Sequence, residues 1–510
     1  MKTKKLFILL FFAFIVLVLC GCGMGGGSYD NGSSYKESTP SGGDYNKTYN
    51  SEAGMAGYDP SISSGQLTSK AWSDNENYDY WLKLITPDEN NQSEHYLATE
   101  YQNFINKTQL LYSKNMVKVV ITKDGVPLEG ARVEATFVNG NAEQVLFKGM
   151  TDSFGVCYLF FKEEHDANIK LAIYYNNELF NYTIEAIPGN RTVEVNLSDV
   201  ELKEKIKSLD LCIVFDTTGS MGDELEYIKV ELRNVIENVV EKTGFDVNLA
   251  LIFYRDEGDQ YVTRVFDFSS NLDAQYANLG AQSASGGGDW PESVEVALFE
   301  ANKLQWRENS VKILIDVLDA PLHDTNARCT SFANQVLSFA SKGVRVIPVI
   351  ASGGRAGNKY NNLLEFTMRS AAIFTGGVYT YLTDDSGIGH SHSDPSTSDD
   401  IPVEYLNKML TRLILQYCTG VRQDPEDYYQ KEQQSSDQVI VTFDSAGGSK
   451  INNQLVEIGS TVSRPVDPTR EGYQFVAWYY SKNGEAVAFD FSTPIYEAIT
   501  LTAVWFKIPE

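Results

Sequence analysis

The sequence predicts a multidomain α/β plus β protein, with one doubly wound α/β domain and an all-β domain on either side of it. Three observations support this fold class. The chain has 510 residues, which is too long for one ordinary domain. Residues 209–420 contain continuous apolar runs separated by stretches in which apolar residues recur every three or four positions, as in buried strands alternating with helices. Residues 114–200 and 438–507 alternate apolar and polar residues between turn signals, which is typical of β-sheets.

Charge excludes one class of partner. The chain carries 42 Lys and Arg against 68 Asp and Glu, a formal net charge of −26. Binding to nucleic acid requires clustered Lys and Arg that displace counterions from phosphates. We therefore expect no nucleic-acid partner, and cations match this acidic surface better.

The first residues predict export. Lys2, Lys4 and Lys5 precede an uninterrupted apolar run from Leu6 to Leu19. This is the charged and apolar arrangement of a secretory signal, and the run is short for a membrane span.

The residues after this run resemble the lipobox of bacterial lipoproteins. They read Leu19-Cys20-Gly21-Cys22-Gly23, with a small residue directly before Cys22. The resemblance implies removal of residues 1–21 as a lipoprotein signal peptide and lipid attachment at Cys22, which anchors the protein to a membrane of the bacterial cell envelope, at the cell surface. The alternatives are a plain secretory signal and an uncleaved anchor.

The rest of the chain divides by composition. Residues 22–70 are rich in Gly, Ser and Asn and have few aliphatic residues, so we expect a flexible tether without a core. The predicted segments that follow are an aromatic and helical lead-in at 71–113 that packs onto the next domain, a β-sandwich at 114–200, the α/β domain at 209–420, a polar linker at 421–437 and a small β module at 438–507.

The two β segments carry family resemblances. Asp124 to Val133 followed by Thr151 to Gly155 resembles the carboxypeptidase-regulatory-like branch of immunoglobulin-like sandwiches, which implies a spacer or stalk. Val439 to Gly448, Pro465 to Tyr479 and Leu501 to Trp505 resemble a Listeria-Bacteroides repeat of the internalin B-repeat type. That resemblance implies a small β-grasp-like module of bacterial surface proteins.

Three oxygen side chains follow the first buried strand of the α/β domain. Asp216, Thr218 and Ser220 come at alternate positions directly after the apolar run Leu211 to Phe215. Doubly wound sheets bind ligands at the carboxyl ends of their strands. Hard oxygen donors suit Mg²⁺, Mn²⁺ or Ca²⁺. The alternative is an Asx-turn with helix capping, which satisfies backbone N–H groups without a metal.

This turn resembles the D-x-[ST]-x-S metal-ion-dependent adhesion site of von Willebrand factor A domains. The resemblance implies a Rossmann-like fold and a divalent cation, Mg²⁺ in the first place, held directly by Ser220 and Thr218 and mostly through water by Asp216. It also implies a strand-end aspartate from a second loop, and Asp319 occupies that position after the run Val311 to Leu318.

The loop between these two departs from the family pattern. Gly286 to Glu292 has no threonine where many members supply a ligand. Asp289 is the candidate substitute and Glu292 is the second choice. An additional carboxylate would bind the cation more tightly and leave it less electrophilic.

A cation with one open position predicts binding and no catalysis. We expect the open position to accept a carboxylate from a partner protein, so adhesion or protein–protein interaction is the predicted function and the protein is not expected to be an enzyme. One alternative is an envelope scaffold whose cation is purely structural. Another is a hydrolase that uses the paired carboxylates of Asp216 and Asp319.

Two further features leave alternatives open. His390, His392 and Asp394 have a spacing that could chelate Zn²⁺, but the residues around them are rich in Gly, Ser and Asp, so a solvated loop is preferred. Cys329 and Cys418 could form a disulfide in an exported protein or remain buried thiols.

Overall fold

The computed structural model describes most of the chain from residue 62 onward. Cys22 and the predicted signal peptide lie outside the described residues. The described residues are 62, 64–87, 97–139, 142–162, 169–184, 191–288, 290–351, 359–386, 392, 395–398, 401–427, 438–449, 451, 454–470, 472–482, 485–496 and 499–508.

Strands and helices alternate through most of the chain. The strands are β1 Thr68–Trp72, β2 Asn115–Lys123, β3 Val126–Pro127, β4 Arg132–Asn139, β5 Ala142–Met150, β6 Val156–Phe161, β7 Ile169–Tyr175, β8 Glu178–Ile184, β9 Arg191–Asn196, β10 Ser208–Asp216, β11 Asp246–Tyr254, β12 Thr263–Ser269, β13 Val311–Leu318, β14 Val344–Ile350, β15 Tyr379–Thr383, β16 Glu404–Tyr405, β17 Gln438–Asp444, β18 Gln454–Glu457, β19 Tyr473–Lys482, β20 Glu485–Ala488 and β21 Ile499–Lys507. The helices are α1 Tyr78–Ile85, α2 Ala98–Thr108, α3 Gly222–Thr243, α4 Leu272–Gly280, α5 Val294–Lys303, α6 Asn326–Lys342, α7 Lys359–Thr375 and α8 Leu406–Thr419.

An eight-stranded sheet forms the centre of the α/β domain, in the order β12-β11-β10-β13-β14-β15-β1-β16. Strands β11, β10, β13, β14 and β15 run parallel. Alternate residues of β10 contribute to two different apolar cores, Cys212 and Val214 to one and Leu211 and Ile213 to the other. Helices α5, α6 and α7 supply the first core and α3 and α8 the second, so the sheet is covered on both faces, as the continuous apolar runs predict.

The tether ends earlier than the sequence predicts. Thr68, inside the range 22–70, begins β1, which pairs antiparallel with β15 and β16. Just before it, the backbone N–H groups of Gly65 and Gln66 donate to Glu231 Oε1 of α3 at 2.7 and 3.0 Å. The prediction was wrong here because β1 has too few aliphatic residues to be recognised, and its backbone pairs with strands that come more than 300 residues later.

The lead-in packs into the α/β domain as well as beside the sandwich. The ring of Phe104 in α2 lies 6.2 Å from that of Phe332 in α6 and 5.4 Å from that of Phe366 in α7, centroid to centroid. Tyr78 of α1 donates to the carbonyl oxygen of Ser113, next to the sandwich, at 2.8 Å. The lead-in therefore joins the cores of both domains.

A buried ion pair fixes the lead-in to α7. The Arg369 side chain is fully buried, and its Nε donates to Asp74 Oδ2 at 2.9 Å. A second guanidinium nitrogen donates to Glu365 Oε1 at 2.8 Å and to the Ser396 carbonyl oxygen at 2.6 Å. Trp72 Nε1 donates to Asp74 Oδ1 at 2.9 Å, so the end of β1 shares the same network.

Two four-stranded sheets form the segment predicted as a sandwich. One contains β3, β2, β6 and β9, and the other has the order β5-β4-β7-β8. Phe160 of β6 lies with its ring 4.3 Å from the ring of Phe374 in α7, and Arg345 of β14 donates to the Met150 carbonyl oxygen at 2.7 Å. The β segment thus packs directly against the α/β domain and shares its core.

The carboxy-terminal module is a separate five-stranded sheet with the order β18-β17-β21-β19-β20. Trp478 is buried at its centre, with its ring 5.0 Å from that of Phe443 and 5.5 Å from that of Phe475. The aromatic residues of this segment therefore form its small core.

Two general features of the described chain complete the fold. Its four cysteines are buried and free, namely Cys157, Cys212, Cys329 and Cys418. Cys329 and Cys418 therefore form no disulfide with each other. Within the described residues, no helix combines the length and the apolar composition that a membrane crossing requires.

We expect Asp74→Asn to lower the free energy of unfolding by about 3 kcal/mol, because it removes one of the two carboxylates that pair with the buried Arg369 guanidinium and leaves only Glu365 as its countercharge. Urea unfolding measures the effect. Glu237→Gln is the matched control, since it breaks the largely exposed pair with Arg233 and should cost less than about 0.5 kcal/mol. Equal effects of the two substitutions would contradict this account of the lead-in.

Candidate metal centre

The predicted site residues lie in a turn between β10 and α3, which we call the Asp216 turn (residues 216–220). Asp216 is the last residue of β10, and a short 3₁₀ turn, Gly219–Met221, leads into α3. Thr217, between the predicted ligands, donates from both its N–H and its hydroxyl to the Tyr254 carbonyl oxygen at 2.9 Å. The neighbouring strand β11 therefore fixes the turn through a residue that is not a predicted ligand.

The three predicted oxygen side chains of this turn come together. Asp216 Oδ1 accepts hydrogen bonds from the Thr218 N–H at 2.9 Å and the Thr218 hydroxyl at 2.7 Å. The hydroxyl oxygens of Thr218 and Ser220 are 3.3 Å apart. Asp216 and Thr218 are fully buried, whereas Ser220 is exposed to solvent. The turn thus has a buried carboxylate base and an open outer side.

The capping alternative is met only in part. Asp216 forms the Asx-type hydrogen bond to the Thr218 N–H, as that alternative predicts. However, neither the 3₁₀ turn nor α3 has a side-chain hydrogen bond at its N-cap. The second oxygen, Asp216 Oδ2, is buried and has no hydrogen-bond partner among the described residues. Capping therefore does not account for this oxygen.

Asp319 supplies a second carboxylate. It follows β13 directly and is buried. Burial first and the nearby Asp319 second raise the pKa of Asp216 well above its usual range, and hydrogen bonds from Thr218 oppose the shift. Two adjacent parallel strands, β10 and β13, thus bring the two predicted acids near each other, as the strand-end rule requires.

The middle loop lies over the Asp216 turn through backbone contacts. Ser285 N–H donates to the Thr217 carbonyl oxygen, and Gly219 N–H donates to the Gly286 carbonyl oxygen, both at 3.0 Å. Gly287 has a φ of +76°, and a Cβ on it would lie 2.9 Å from Glu292 Oε1 and 3.2 Å from Thr218 Cβ. Glycine is needed here because the loop passes so close to the turn.

The two candidate acids of this loop have different outcomes. Asp289 lies outside the described residues. Glu292 is buried, with 3% of its surface exposed, and Glu292 Oε2 has no hydrogen-bond partner in the described part of the chain. Burial first, then the charges of Asp216, Asp256 and Asp319, raise the pKa of Glu292 to about 10. The second choice, Glu292, therefore belongs to a cluster of buried acids with Asp216 and Asp319, which we call the acidic cluster.

One acid of the cluster was not among the predicted site residues. Asp316 lies inside β13, fully buried, and both of its carboxylate oxygens have no hydrogen-bond partner within the described residues. Burial raises its pKa to about 8. Its charge also acts on Asp216 and Tyr254. The signal in the sequence is an acid in an otherwise apolar strand from Ile313 to Leu318.

The residues present fit a hard divalent cation. The donors are carboxylate and hydroxyl oxygens, and the buried Asp216 Oδ2 has no hydrogen-bond partner among the described residues. Arg255, the buried cation nearby, donates to the carbonyl oxygens of Thr217 and Ser283, at 3.1 and 2.7 Å, and to none of these acids in the described contacts. Among the described residues no three His, Cys, Asp or Glu side chains are grouped to hold a metal. The predicted ligand set of the cation depends instead on the hydroxyl groups of Thr218 and Ser220.

The histidine-rich segment differs from the prediction. His390 and Asp394 lie outside the described residues, but the His392 side chain is only 3% exposed. It lies against Asp384 and Glu224. The interpretation as a solvated loop was therefore wrong for His392, because its buried side chain lies next to Glu224 of α3, which is distant in sequence.

Two segments of the chain match known domain families. Residues 210–372 match the von Willebrand factor A domain, and residues 440–504 match the Listeria-Bacteroides repeat domain. These matches confirm the predicted von Willebrand factor A domain and the predicted Listeria-Bacteroides repeat for those segments.

The chain is also similar to parts of two larger proteins. The chain is 33% identical over 128 residues to an ariadne-like RING finger protein, R811, of Acanthamoeba polyphaga mimivirus, covering 25% of this chain and 12% of that protein. It is 29% identical over 137 residues to the alpha-protein kinase vwkA of Dictyostelium discoideum, covering 26% and 22%. The chain thus spans less than a quarter of either relative. The open pilus adhesin SpaC of Lactobacillus rhamnosus GG superposes with a TM-score of 0.28 at 11% identity, covering 43% of this chain and 30% of that one, which is too weak a likeness to support a conclusion.

We expect Asp316→Asn to flatten the dependence of stability on pH. Because the folded-state pKa of Asp316 is raised from 3.8 to about 8, the folded state holds a proton that the unfolded state loses, so stability is highest below about pH 4 and is lost as the pH rises to about 8. The substitution should raise the free energy of unfolding at pH 8 and have little effect at pH 4. Denaturant unfolding across this range measures it.

Asp424→Asn, at an exposed position, is the control and should leave the slope unchanged. A slope that is the same in the wild type and in Asp316→Asn would show that Asp316 does not titrate between the two states as described.

Proposed function

We propose that this chain is a lipid-anchored protein of the bacterial cell envelope that binds an acidic protein ligand through a divalent cation in its von Willebrand factor A domain. The observation that carries the proposal is the Asp216 turn. It combines a buried carboxylate oxygen that has no hydrogen-bond partner in the described chain with two hydroxyl oxygens 3.3 Å apart, one of them exposed.

Each residue has a distinct proposed role. Thr218 and Ser220 would bind the cation directly, and Asp216 and Asp319 mostly through water. Asp216 also orients Thr218, because Asp216 Oδ1 accepts a hydrogen bond from the Thr218 hydroxyl at 2.7 Å. When bound, the cation, Mg²⁺ in the first place, supplies a positive charge that attracts a carboxylate. No bond is made or broken, so the proposed activity is binding.

The proposed carboxylate partner would approach from the side of Ser220. Ser220 and Gly219 are exposed, whereas the acids beneath them are buried. In the absence of a cation, the site presents no positive charge to a negatively charged ligand. Cation-dependent binding is thus the expected behaviour of this arrangement.

Titration of the full-length chain with Mg²⁺, Mn²⁺ and Ca²⁺, followed by calorimetry, tests the cation site. We expect one saturable site in the wild type and at least about tenfold weaker binding, equal to about 1.4 kcal/mol, in Asp216→Ala and Thr218→Val. Thr217→Val is the matched control, because its hydroxyl bonds to Tyr254 and should leave cation affinity unchanged. Wild-type affinity in Asp216→Ala would refute the site.

The middle loop can be tested in the same titration. Asp289 and Glu292 are the two proposed carboxylates of the middle loop, and the described contacts support Glu292. We expect Glu292→Gln to weaken cation binding by about tenfold, while Asp289→Asn shows whether the first candidate also contributes. If neither variant changes the affinity, the cation is held without a middle-loop acid.

A peptide library tests the ligand. Immobilised random peptides with one Glu or Asp are compared with matched libraries that carry Gln or Asn in its place. We expect the wild type to retain acidic peptides only with Mg²⁺, and Asp216→Ala to retain none. If Mg²⁺ raises the melting temperature but no acidic peptide binds selectively, the cation is structural and the envelope-scaffold alternative is favoured.

The membrane anchor rests on Cys22, in the part of the chain that the structure does not describe. Expression of Cys22→Ser in a bacterium should release the protein from the membrane fraction, because the thiol that would carry the lipid is gone. Cys20→Ser is the control and should remain with the membrane. Release of both variants, or of neither, would contradict lipidation at Cys22.

A further inference from the structure

A cavity of about 240 Å³ lies at the edge of the central sheet opposite to the Asp216 turn. Its walls come from the end of β1 and the turn after it, the β5–β6 turn and β6, the turn before β15, and α8 with the segment that follows. Because β15 runs in the same direction as β10, the beginning of β15 and the end of β10 lie at opposite edges of the sheet. Junctions between domains are frequent ligand sites, and this volume admits a molecule smaller than a drug-sized ligand, which needs roughly 300 Å³ or more.

Two arginines line this cavity, Arg412 of α8 and Arg422 after it. Arg412 binds Glu404 through Nε at 2.9 Å and through Nη2, and its Nη1 has no hydrogen-bond partner among the described residues. Arg422 pairs with Glu76, and its guanidinium carbon lies 5.4 Å from the centre of the Phe154 ring. A guanidinium group has more N–H donors than these contacts use, so both arginines keep donors for an anionic ligand group.

Two acceptor groups of the cavity wall have unused capacity. Asp152 Oδ1 accepts from the N–H groups of Phe154 and Val156 at 2.9 and 3.0 Å, and its Oδ2 accepts no hydrogen bond in the described contacts. Burial raises the pKa of Asp152 although Arg345 opposes the shift, so a positively charged ligand group would stabilise the ionised form. Asn75 is buried, with 7% of its surface exposed, and its Oδ1 has no hydrogen-bond partner within the described part of the chain. These oxygens fit a ligand group that donates hydrogen bonds.

Aromatic rings supply the apolar part of the wall, namely those of Phe154, Tyr158 and Tyr417. The Tyr417 hydroxyl donates to the Gly376 carbonyl oxygen at 2.8 Å, which holds its ring in place. Burial first and the charge of Asp152 second raise the pKa of Tyr158, so its hydroxyl stays protonated and can donate to a ligand. The cavity thus offers apolar surface beside charged groups of both signs.

We propose that this cavity binds a free α-amino acid with an apolar side chain. Its carboxylate would accept hydrogen bonds from Arg412 and Arg422. Its ammonium group would donate to Asp152 and Asn75, and its side chain would lie against the aromatic rings. A purely anionic ligand would leave the two acceptor groups without a donor, and a purely cationic ligand would leave the arginines without an acceptor. The inference goes beyond the proposed adhesion and does not depend on the Asp216 turn.

Calorimetry with the full-length chain tests the proposal. The probes are L-leucine, L-isoleucine, L-valine, L-methionine and L-phenylalanine, each titrated separately, followed by the N-acetyl and amide derivatives of any probe that binds. We expect at least one probe to bind at a single saturable site, and both of its derivatives to bind at least about tenfold more weakly, because each lacks one of the two charges. Binding by none of the probes, or equal binding of either derivative, would overturn the proposal.

Substitutions locate the bound probe. We expect Arg422→Gln and Asp152→Asn each to weaken its binding at least about tenfold, because each removes a charged partner of the ligand. Arg422 is 61% exposed, so its replacement should leave the fold intact. Arg464→Gln is the matched control and should keep wild-type affinity. Arg464 is 57% exposed, pairs with Asp467 and lies over the Phe491 ring, all within the carboxy-terminal module.

The acid has its own control. Asp444 Oδ1 accepts the Ala446 N–H at 2.9 Å in a similar turn, and Asp444→Asn should leave the affinity unchanged. If Asp152→Asn does not fold, Tyr158→Phe takes its place and should also weaken binding, since it removes only a hydroxyl donor. Removal of divalent cations with EDTA should leave the affinity unchanged, so failure of the Asp216 turn and failure of this cavity are distinguishable. Wild-type affinity in both cavity variants would place the probe elsewhere and refute the site.

Discussion

The buried guanidinium of Arg369 is the constraint on which the arrangement of the domains depends. It has no solvent exposure and is held by Asp74 from the lead-in, Glu365 from its own helix and the Ser396 carbonyl oxygen. Its central carbon lies over the rings of Trp81 and Tyr379, 5.4 and 5.7 Å from their centroids. A charge buried this deeply is tolerated only while its partners stay in place. The lead-in therefore cannot detach from α7 without exposing an unpaired charge, and β1, which ends next to Asp74, is fixed with it.

This constraint changes the meaning of the amino-terminal segment. The sequence presents a tether followed by a stalk and then a binding domain. In the fold, the chain enters the central sheet first as β1, forms the β segment next and returns to the same sheet at β10. In the proposed anchored protein, a pull from the membrane would thus reach β1 and the Glu231 contact directly. The β segment packs beside the α/β domain and is not a serial spacer along that path.

The acidic cluster at the strand ends has the opposite electrostatic character to the Arg369 network. Asp216, Asp316, Asp319 and Glu292 are all buried, and each of the three pKa values that are resolved is raised, chiefly by burial. Arg369 is buried with its countercharges, whereas Arg255, the buried cation near these acids, donates to backbone carbonyl oxygens. Like charges in a low-dielectric region are unfavourable unless protons or cations neutralise them. The same imbalance underlies both the pH dependence of the fold and the proposed cation binding.

The sequence alone determined the features that depend on local pattern. Continuous apolar runs identified the buried strands β10, β11, β13 and β14, and the spacing of Asp216, Thr218, Ser220 and Asp319 located the acids and hydroxyls at the correct sheet edge, because parallel strands end there together. Only the tertiary structure decided the rest: β1 in the sheet, Glu292 and Asp316 in the cluster, and His392 against Glu224. Each of these depends on contacts between residues far apart in the chain, where hydrogen bonds and burial are supplied by distant elements, and no local periodicity records such contacts.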